Sequence, residues 1–129
     1  MVRILRVIGR LALATGAAAL LATAAQASGD PKAGADVFKR CTACHADAKD
    51  GPNKFGPNLY GVIGRKAGSY PGYNYSPAMK NSDFTWDQQK LEAYISHPQQ
   101  VVTGNKMPFG GISDQKQAED LAAYLLTLK

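Results

Sequence analysis

Cys41 and Cys44 stand three positions apart, and His45 follows directly. Two thiols at that spacing lie on one side of a helical turn, so both can form thioether bonds to the vinyl groups of a single porphyrin. The next side chain is then carried under the ring, where a neutral imidazole can coordinate iron. The run Cys41-Thr42-Ala43-Cys44-His45 therefore reads as the attachment site of one covalently held c-type haem. Two other chemistries use paired thiols. A redox disulfide of thioredoxin type would follow a strand in a βαβ unit, and no such alternation surrounds these residues. A zinc site needs four ligands, but the only other histidine is His97 and the chain has no third cysteine.

The compartment agrees with haem attachment. Residues 1–27 open with Arg3, Arg6 and Arg10, continue with an Ala/Leu-rich run from Leu11 to Ala25, and end on the small-x-small triplet Ala25-Gln26-Ala27. This is the pattern of a cleavable bacterial export signal. Its apolar run of 15 residues is shorter than the ~20 that span a bilayer, which favours cleavage after Ala27 over a retained anchor. The expected product is residues 28–129, one domain located in the periplasm. The full chain holds 15 Lys+Arg against 10 Asp+Glu, and loss of the three leader arginines leaves 12 against 10, a formal +2. Haem propionates lower that further, which argues against nucleic acid as a partner.

The elements that must position the motif are helical. Asp30-Pro31 reads as an N-cap and first helical residue, and Gly34, Val37, Phe38 and Cys41 follow at helical spacings, predicting a helix over about 31–43. From Gly51 to Asn74 glycines and prolines interleave, and a loop this long needs an internal surface to wrap, which a haem would provide. Ser76-Pro77 begins a short turn through Lys80. Thr85-Trp86-Asp87-Gln88 fits a capping box for a helix with Leu91, Tyr94 and Ile95 on one face, stopped by His97-Pro98. A second irregular stretch, Gln99 to Ile112, contains Met107-Pro108. The last helix, about 114–128, carries Ala118, Leu121, Ala122, Leu125 and Leu128 on one stripe. No strand signal exceeds a few residues. The expected fold class is all-α: a single domain of three main helices, with short helical turns and long loops around one haem.

These residues resemble the class I c-type cytochromes, in particular the group that contains mitochondrial cytochrome c and bacterial cytochrome c2. The resemblance covers nearly all of residues 30–129. It rests on the Cys41–His45 motif, Gly56-Pro57-Asn58-Leu59-Tyr60-Gly61 with Gly64-Arg65-Lys66, then Trp86, Tyr94 and Lys106-Met107, in the family's order and spacing. It implies a cytochrome c fold with His45 and Met107 as axial ligands and an exposed haem edge. Met107 would donate a soft thioether that raises the reduction potential; Met79, the only other methionine after the leader, sits in the short Pro77–Lys80 turn where the family has no ligand. Pro57 would accept the ring N–H of His45 through its carbonyl. Arg65, Tyr75 and Trp86 resemble the hydrogen-bonding partners of the inner propionate, and Tyr94 the tyrosine that reaches the methionine sulfur. Asn105 stands where mitochondrial members usually carry Thr, and Thr103 where they often carry Pro; Asn105 can still donate to a propionate. Gly34 and Phe38 match the family's close crossing with Leu121 and Tyr124 on the last helix.

With both axial positions filled, the iron only exchanges electrons, so the expected function is a mobile one-electron carrier and not an enzyme. Two alternatives stay open: a haem catalyst or gas binder, which would need a vacant sixth site, and an immobile subunit of a redox complex, which would keep the leader as an anchor. The expected partners are redox complexes docking at the haem edge. Lys39, Arg40, Lys49, Lys54, Lys66, Lys80 and Lys106 could form a positive collar there, against the plainer reading of solvated lysines. No nucleic acid is expected, membrane contact only through those complexes or an uncleaved leader, and a monomer. His97 reads as a surface residue at a helix end.

Overall fold

The computed structural model describes residues 28–129, so the export-signal expectation for residues 1–27 lies outside the described residues. Five helices follow in order: α1 (Pro31–Phe38), α2 (Pro77–Lys80), α3 (Gln88–Ser96), α4 (Pro98–Val101) and α5 (Gln115–Leu126). Among the described residues the only β pairing is an isolated antiparallel bridge between Lys66 and Thr85. Three longer helices, two single turns and long loops make the all-α architecture expected from the sequence.

The frame is the crossing of α1 on α5. Asp30 caps α1 by accepting from Lys32 N at 2.8 Å, and Pro31 opens the helix with a preset φ. Asp114 caps α5 in the same way through Gln117 N at 3.1 Å. Gly34 is required at the crossing, because a Cβ there would lie 1.9 Å from the Asp120 carbonyl oxygen. Below it Phe38 meets Tyr124 with ring centroids 5.4 Å apart, and above it Asp30 N–H donates to Asp120 Oδ1 at 2.6 Å. The buried face of α5 carries Ala118, Leu121, Ala122 and Leu125 of the stripe read from the sequence, while its last member, Leu128, lies beyond the helix end at Leu126 and is half-buried. α3 packs on the same helix through Leu91, Tyr94 and Ile95.

Three boundaries differ from the sequence expectations. α1 ends at Phe38 rather than near residue 43, and the chain continues in tighter turns, with Arg40 N bonded to Val37 O at 3.1 Å and Cys41 N to Phe38 O at 2.7 Å. Beyond Phe38 the chain turns outward, leaving Lys39, Arg40, Thr42 and Ala43 exposed, so little packing rewards α geometry there. The Thr42 hydroxyl also takes the Lys39 carbonyl at 2.9 Å. The N-cap of α3 falls two residues after the predicted Thr85, at Asp87, which accepts from Lys90 N at 2.6 Å. Thr85 is held extended by the bridge to Lys66, reinforced by Ala67 N to Phe84 O at 2.9 Å and Trp86 N to Arg65 O at 2.9 Å. Finally, α4 begins at Pro98 and runs into the Gln99–Ile112 stretch expected to be irregular. His97 closes α3 as an exposed cap, as expected, but Pro98 then opens a new turn instead of only ending the old one.

Candidate haem site

Cys41, Cys44, His45, Pro57, Arg65, Tyr75, Trp86, Tyr94, Asn105 and Met107 all line one cavity of about 280 Å³. The remaining wall is mainly apolar, with Phe38 from α1, Leu59 and Val62 from the first loop, Leu91 and Ile95 from α3, and Leu121 and Leu125 from α5. Every helix except α4 contributes, so the cavity sits where the helices and both loops converge.

The thiols are presented by a single turn. Cys44 N and His45 N both bond to Cys41 O, at 3.0 and 2.8 Å, which keeps the motif coiled and all three side chains on the cavity wall. Both cysteines are free and half-buried, and burial pushes the Cys41 thiol up, so Cys41 is not poised as a thiolate nucleophile.

His45 is fixed from two directions. Its Nδ1 lies 2.7 Å from the Pro57 carbonyl; since a carbonyl only accepts, Nδ1 carries the proton and Nε2 keeps its lone pair for a metal. Burial pushes the imidazole below its ordinary pKa, against the Pro57 hydrogen bond and aided by Lys54, and this favours the neutral ring. Gly56 packs on the flat of the ring, where a Cβ would stand 2.4 Å from His45 Cε1. Gly56 N to Cys44 O at 2.7 Å and Leu59 N to Ala46 O at 2.8 Å clamp this loop to the motif.

Asn58, which the sequence reading quoted without giving it a role, holds the loop together. It is 0% exposed. Its amide donates to the carbonyls of Ala48 and Gly51, both at 2.9 Å, and its oxygen accepts from Tyr60 N at 2.9 Å. Arg65 extends the network by donating to the Asn58 carbonyl at 3.0 Å and to the Tyr60 carbonyl, with its guanidinium 4.3 Å over the Tyr70 ring. Burial pulls Arg65 below its ordinary pKa, opposed by Tyr75 and Tyr70. The Tyr75 hydroxyl accepts from Tyr70 N at 3.2 Å. The cluster expected around a propionate is thus assembled at the cavity wall.

Trp86 and Tyr94 pack edge to face at 5.1 Å. Among the described residues neither the Trp86 indole N–H nor the Tyr94 hydroxyl hydrogen-bonds to protein, and both residues open on the cavity instead. Burial pushes the Tyr94 hydroxyl up to about 12, so it remains a donor. No hydrogen bond joins Tyr94 to the Met107 sulfur. Two donors without protein acceptors, two free thiols and a metal-ready imidazole on one apolar cavity are a donor set that fits a haem.

Met107 and Met79 both line the cavity, Met79 buried on α2 and Met107 half-buried on the irregular segment after α4. Asn105, two residues before Met107, spends both amide hydrogens on the carbonyls of Pro98 and Val102, at 3.1 and 2.9 Å, so neither is left for the propionate that the resemblance implied. The expected positive collar is reduced. Lys39 pairs with Asp36 at 2.6 Å and Lys66 with Asp83 at 3.6 Å, while Lys54 donates to the Thr42 carbonyl at 2.8 Å. Arg40 and Lys106 remain at the cavity. The exposed Phe55, 68% accessible, lines the same cavity and carried no signal in the sequence.

Comparison with known proteins agrees with this geometry. The family model for cytochrome c matches residues 31–129. The chain is 45% identical to a cytochrome c2 from Rhodomicrobium vannielii over 87% of its own length and 90% of the relative's. It is 47% identical to a cytochrome c from Gibberella zeae, covering 77% and 94%. Among solved structures, cytochrome cH from Methylobacterium extorquens superposes with a TM-score of 0.71 at 47% identity, covering 77% of this chain and 99% of that one. The chain therefore belongs to the cytochrome c family of electron-transport proteins, and Cys41 and Cys44 are the thiols that hold its haem c covalently.

Proposed function

We propose that the protein is an exported, monomeric one-electron carrier in which His45 and Met107 are the two axial ligands of the haem iron. The observation that carries this reading is the shared cavity. It brings together the two attachment thiols, an imidazole whose Nε2 is left unprotonated by the Pro57 hydrogen bond, and the Met107 side chain. The haem supplies the Fe(III)/Fe(II) couple when bound. The protein's residues do the rest. Pro57 and Gly56 orient the imidazole, and Met107 would supply the second protein ligand to the iron, leaving no site for substrate. Leu91, Ile95, Leu121 and Leu125 keep water from the buried face, while Arg65, Tyr75 and Trp86 supply donors to a propionate. A soft thioether opposite a histidine favours the reduced state and sets a positive potential.

Residues 1–27 serve as the cleaved export signal and residues 28–129 work in the periplasm as the cytochrome domain. No helix among the described residues is long and apolar enough to cross a membrane, in keeping with contact to membranes only through partner complexes. Those partners are redox complexes that dock where Arg40, Phe55 and Lys106 rim the cavity. Visible spectra of the purified protein, oxidised and reduced, test this reading. Low-spin iron with the weak sulfur-to-iron charge-transfer band, and a reduced form that resists carbon monoxide at neutral pH, are expected. High-spin iron or rapid carbon monoxide binding would make the protein a haem catalyst or gas binder instead.

A further inference from the structure

We propose that Asn105 is a positioning residue for Met107: its side-chain amide latches the Met107 backbone to α4 and so sets how readily that thioether leaves its place. The proposal rests on Met107 being the sixth ligand, but the latch is visible in the protein alone. Asn105 is 7% exposed, and every polar group it has is committed. Its two amide hydrogens go to Pro98 O at 3.1 Å and Val102 O at 2.9 Å. Its side-chain oxygen accepts from Met107 N at 2.9 Å. Its own backbone N–H reaches Val102 O at 3.1 Å, and its carbonyl accepts from Gln99 Nε2 at 3.0 Å. The amide has only one sensible orientation, because the flipped form would set an oxygen against two carbonyl oxygens and two hydrogens against Met107 N–H.

The anchor is firm and its load is not. Pro98 and Val102 are buried, and Gln99 braces the turn by accepting from Gly104 N at 3.1 Å while its carbonyl takes the Thr103 hydroxyl at 2.9 Å. From Asn105 to Ser113 no regular secondary structure holds the chain. The Met107 N–H therefore has the Asn105 side chain as its protein partner, in place of a helix or sheet ladder. Lys106 adds a tie on the outer side, donating to the Asn74 carbonyl with its ammonium 4.9 Å over the Tyr73 ring. The segment is thus held in place by side-chain amides before any bond to iron is counted.

Native-state hydrogen exchange and imidazole binding to the oxidised haem protein test this together. Asn105→Ala leaves the Met107 N–H without its partner and takes one donor from each of the Pro98 and Val102 carbonyls, which keep their backbone N–H partners at residues 102 and 105. Exchange of the Met107 amide and the imidazole association rate should both rise roughly tenfold or more. Exchange of the Leu121 and Leu125 amides in α5 should not rise with them. Asn105→Thr should restore part of the protection, since a hydroxyl can accept from Met107 N–H and donate to one carbonyl. Unchanged exchange at Met107 in Asn105→Ala, or a rise matched in α5, overturns the latch. Should Asn105→Ala fail to fold, Asn105→Asp, which keeps the acceptor and loses both donors, must still show a faster-exchanging loop. If the wild type lacks the sulfur-to-iron band, the ligand assignment fails, while the exchange result still decides the latch.

Discussion

Gly56 lies against the imidazole of His45 so closely that no side chain fits between them: a Cβ would stand 2.4 Å from Cε1, 2.8 Å from Nδ1 and 2.9 Å from Nε2. The contact presses the ring from the side while the Pro57 carbonyl holds its edge. Orientation of the ring is therefore set by two consecutive backbone positions. Gly56→Ala should push the imidazole out of line, at a cost of about 1–3 kcal/mol from overpacking. Denaturant midpoints and the low-spin spectrum of the purified variant are the measurements, and a wild-type result in both would mean that the loop yields without strain.

Removing the attachment points should remove the fold. A cavity of about 280 Å³, at ~24 cal/mol per Å³, corresponds to roughly 7 kcal/mol if it stays open and empty. That is comparable with the whole stability of a small domain, about 5–15 kcal/mol. Cys41→Ala combined with Cys44→Ala should give a largely unfolded chain with no cooperative thermal transition by circular dichroism. A sharp transition in this double variant would show that the protein core is self-sufficient.

The two methionines of the cavity should separate cleanly. Met107→Ala is expected to abolish the sulfur-to-iron band and admit carbon monoxide, and Met107→His to keep six-coordinate iron at a lower potential, because imidazole stabilises Fe(III) better than a thioether. Met79→Leu conserves volume in a buried position and should leave the band intact, with a stability loss below about 1.5 kcal/mol. Loss of the band in Met79→Leu alone would reassign the ligand.

Acid should weaken the α1–α5 crossing through Asp120. The Lys116 hydrogen bond, followed by the Asp30 backbone N–H, holds its carboxyl below the ordinary value. A carboxyl depressed on folding contributes stability at neutral pH that is lost as pH falls below about 4. Asp120→Asn should be less stable at pH 7, and its urea midpoint should change less between pH 5 and pH 2 than that of the wild type. Parallel pH curves would place the acid sensitivity elsewhere.

Sequence patterns of local origin survived into the structure, and those with remote partners did not. The thiol spacing, the α5 stripe from Ala118 to Leu125 and the caps at Asp30 and Ser76 depend on neighbours within one or two turns, and each stands where it was read. Thr85 has the chemistry of an N-cap, but Lys66, 19 positions earlier, draws it into a bridge and passes the cap to Asp87. Asn58 looks like an ordinary loop asparagine and Asn105 like a propionate donor until the carbonyls of Ala48, Gly51, Pro98 and Val102 are seen around their amides. The collar of lysines was legible as charge only. The pairing of two of its members, Lys39 with Asp36 and Lys66 with Asp83, depends on which side chains meet.

The Asp30–Asp120 hydrogen bond spans 90 positions, nearly the whole described chain. Closing so large a loop is among the slowest entropic steps in folding. Leu121 and Leu125, part of the cavity wall, belong to the last helix, whereas the two thiols belong to the segment just behind the first. A chain emerging amino end first presents Cys41 and Cys44 long before that wall exists. The cavity wall is therefore completed only when the two ends of the described chain meet at the α1–α5 crossing.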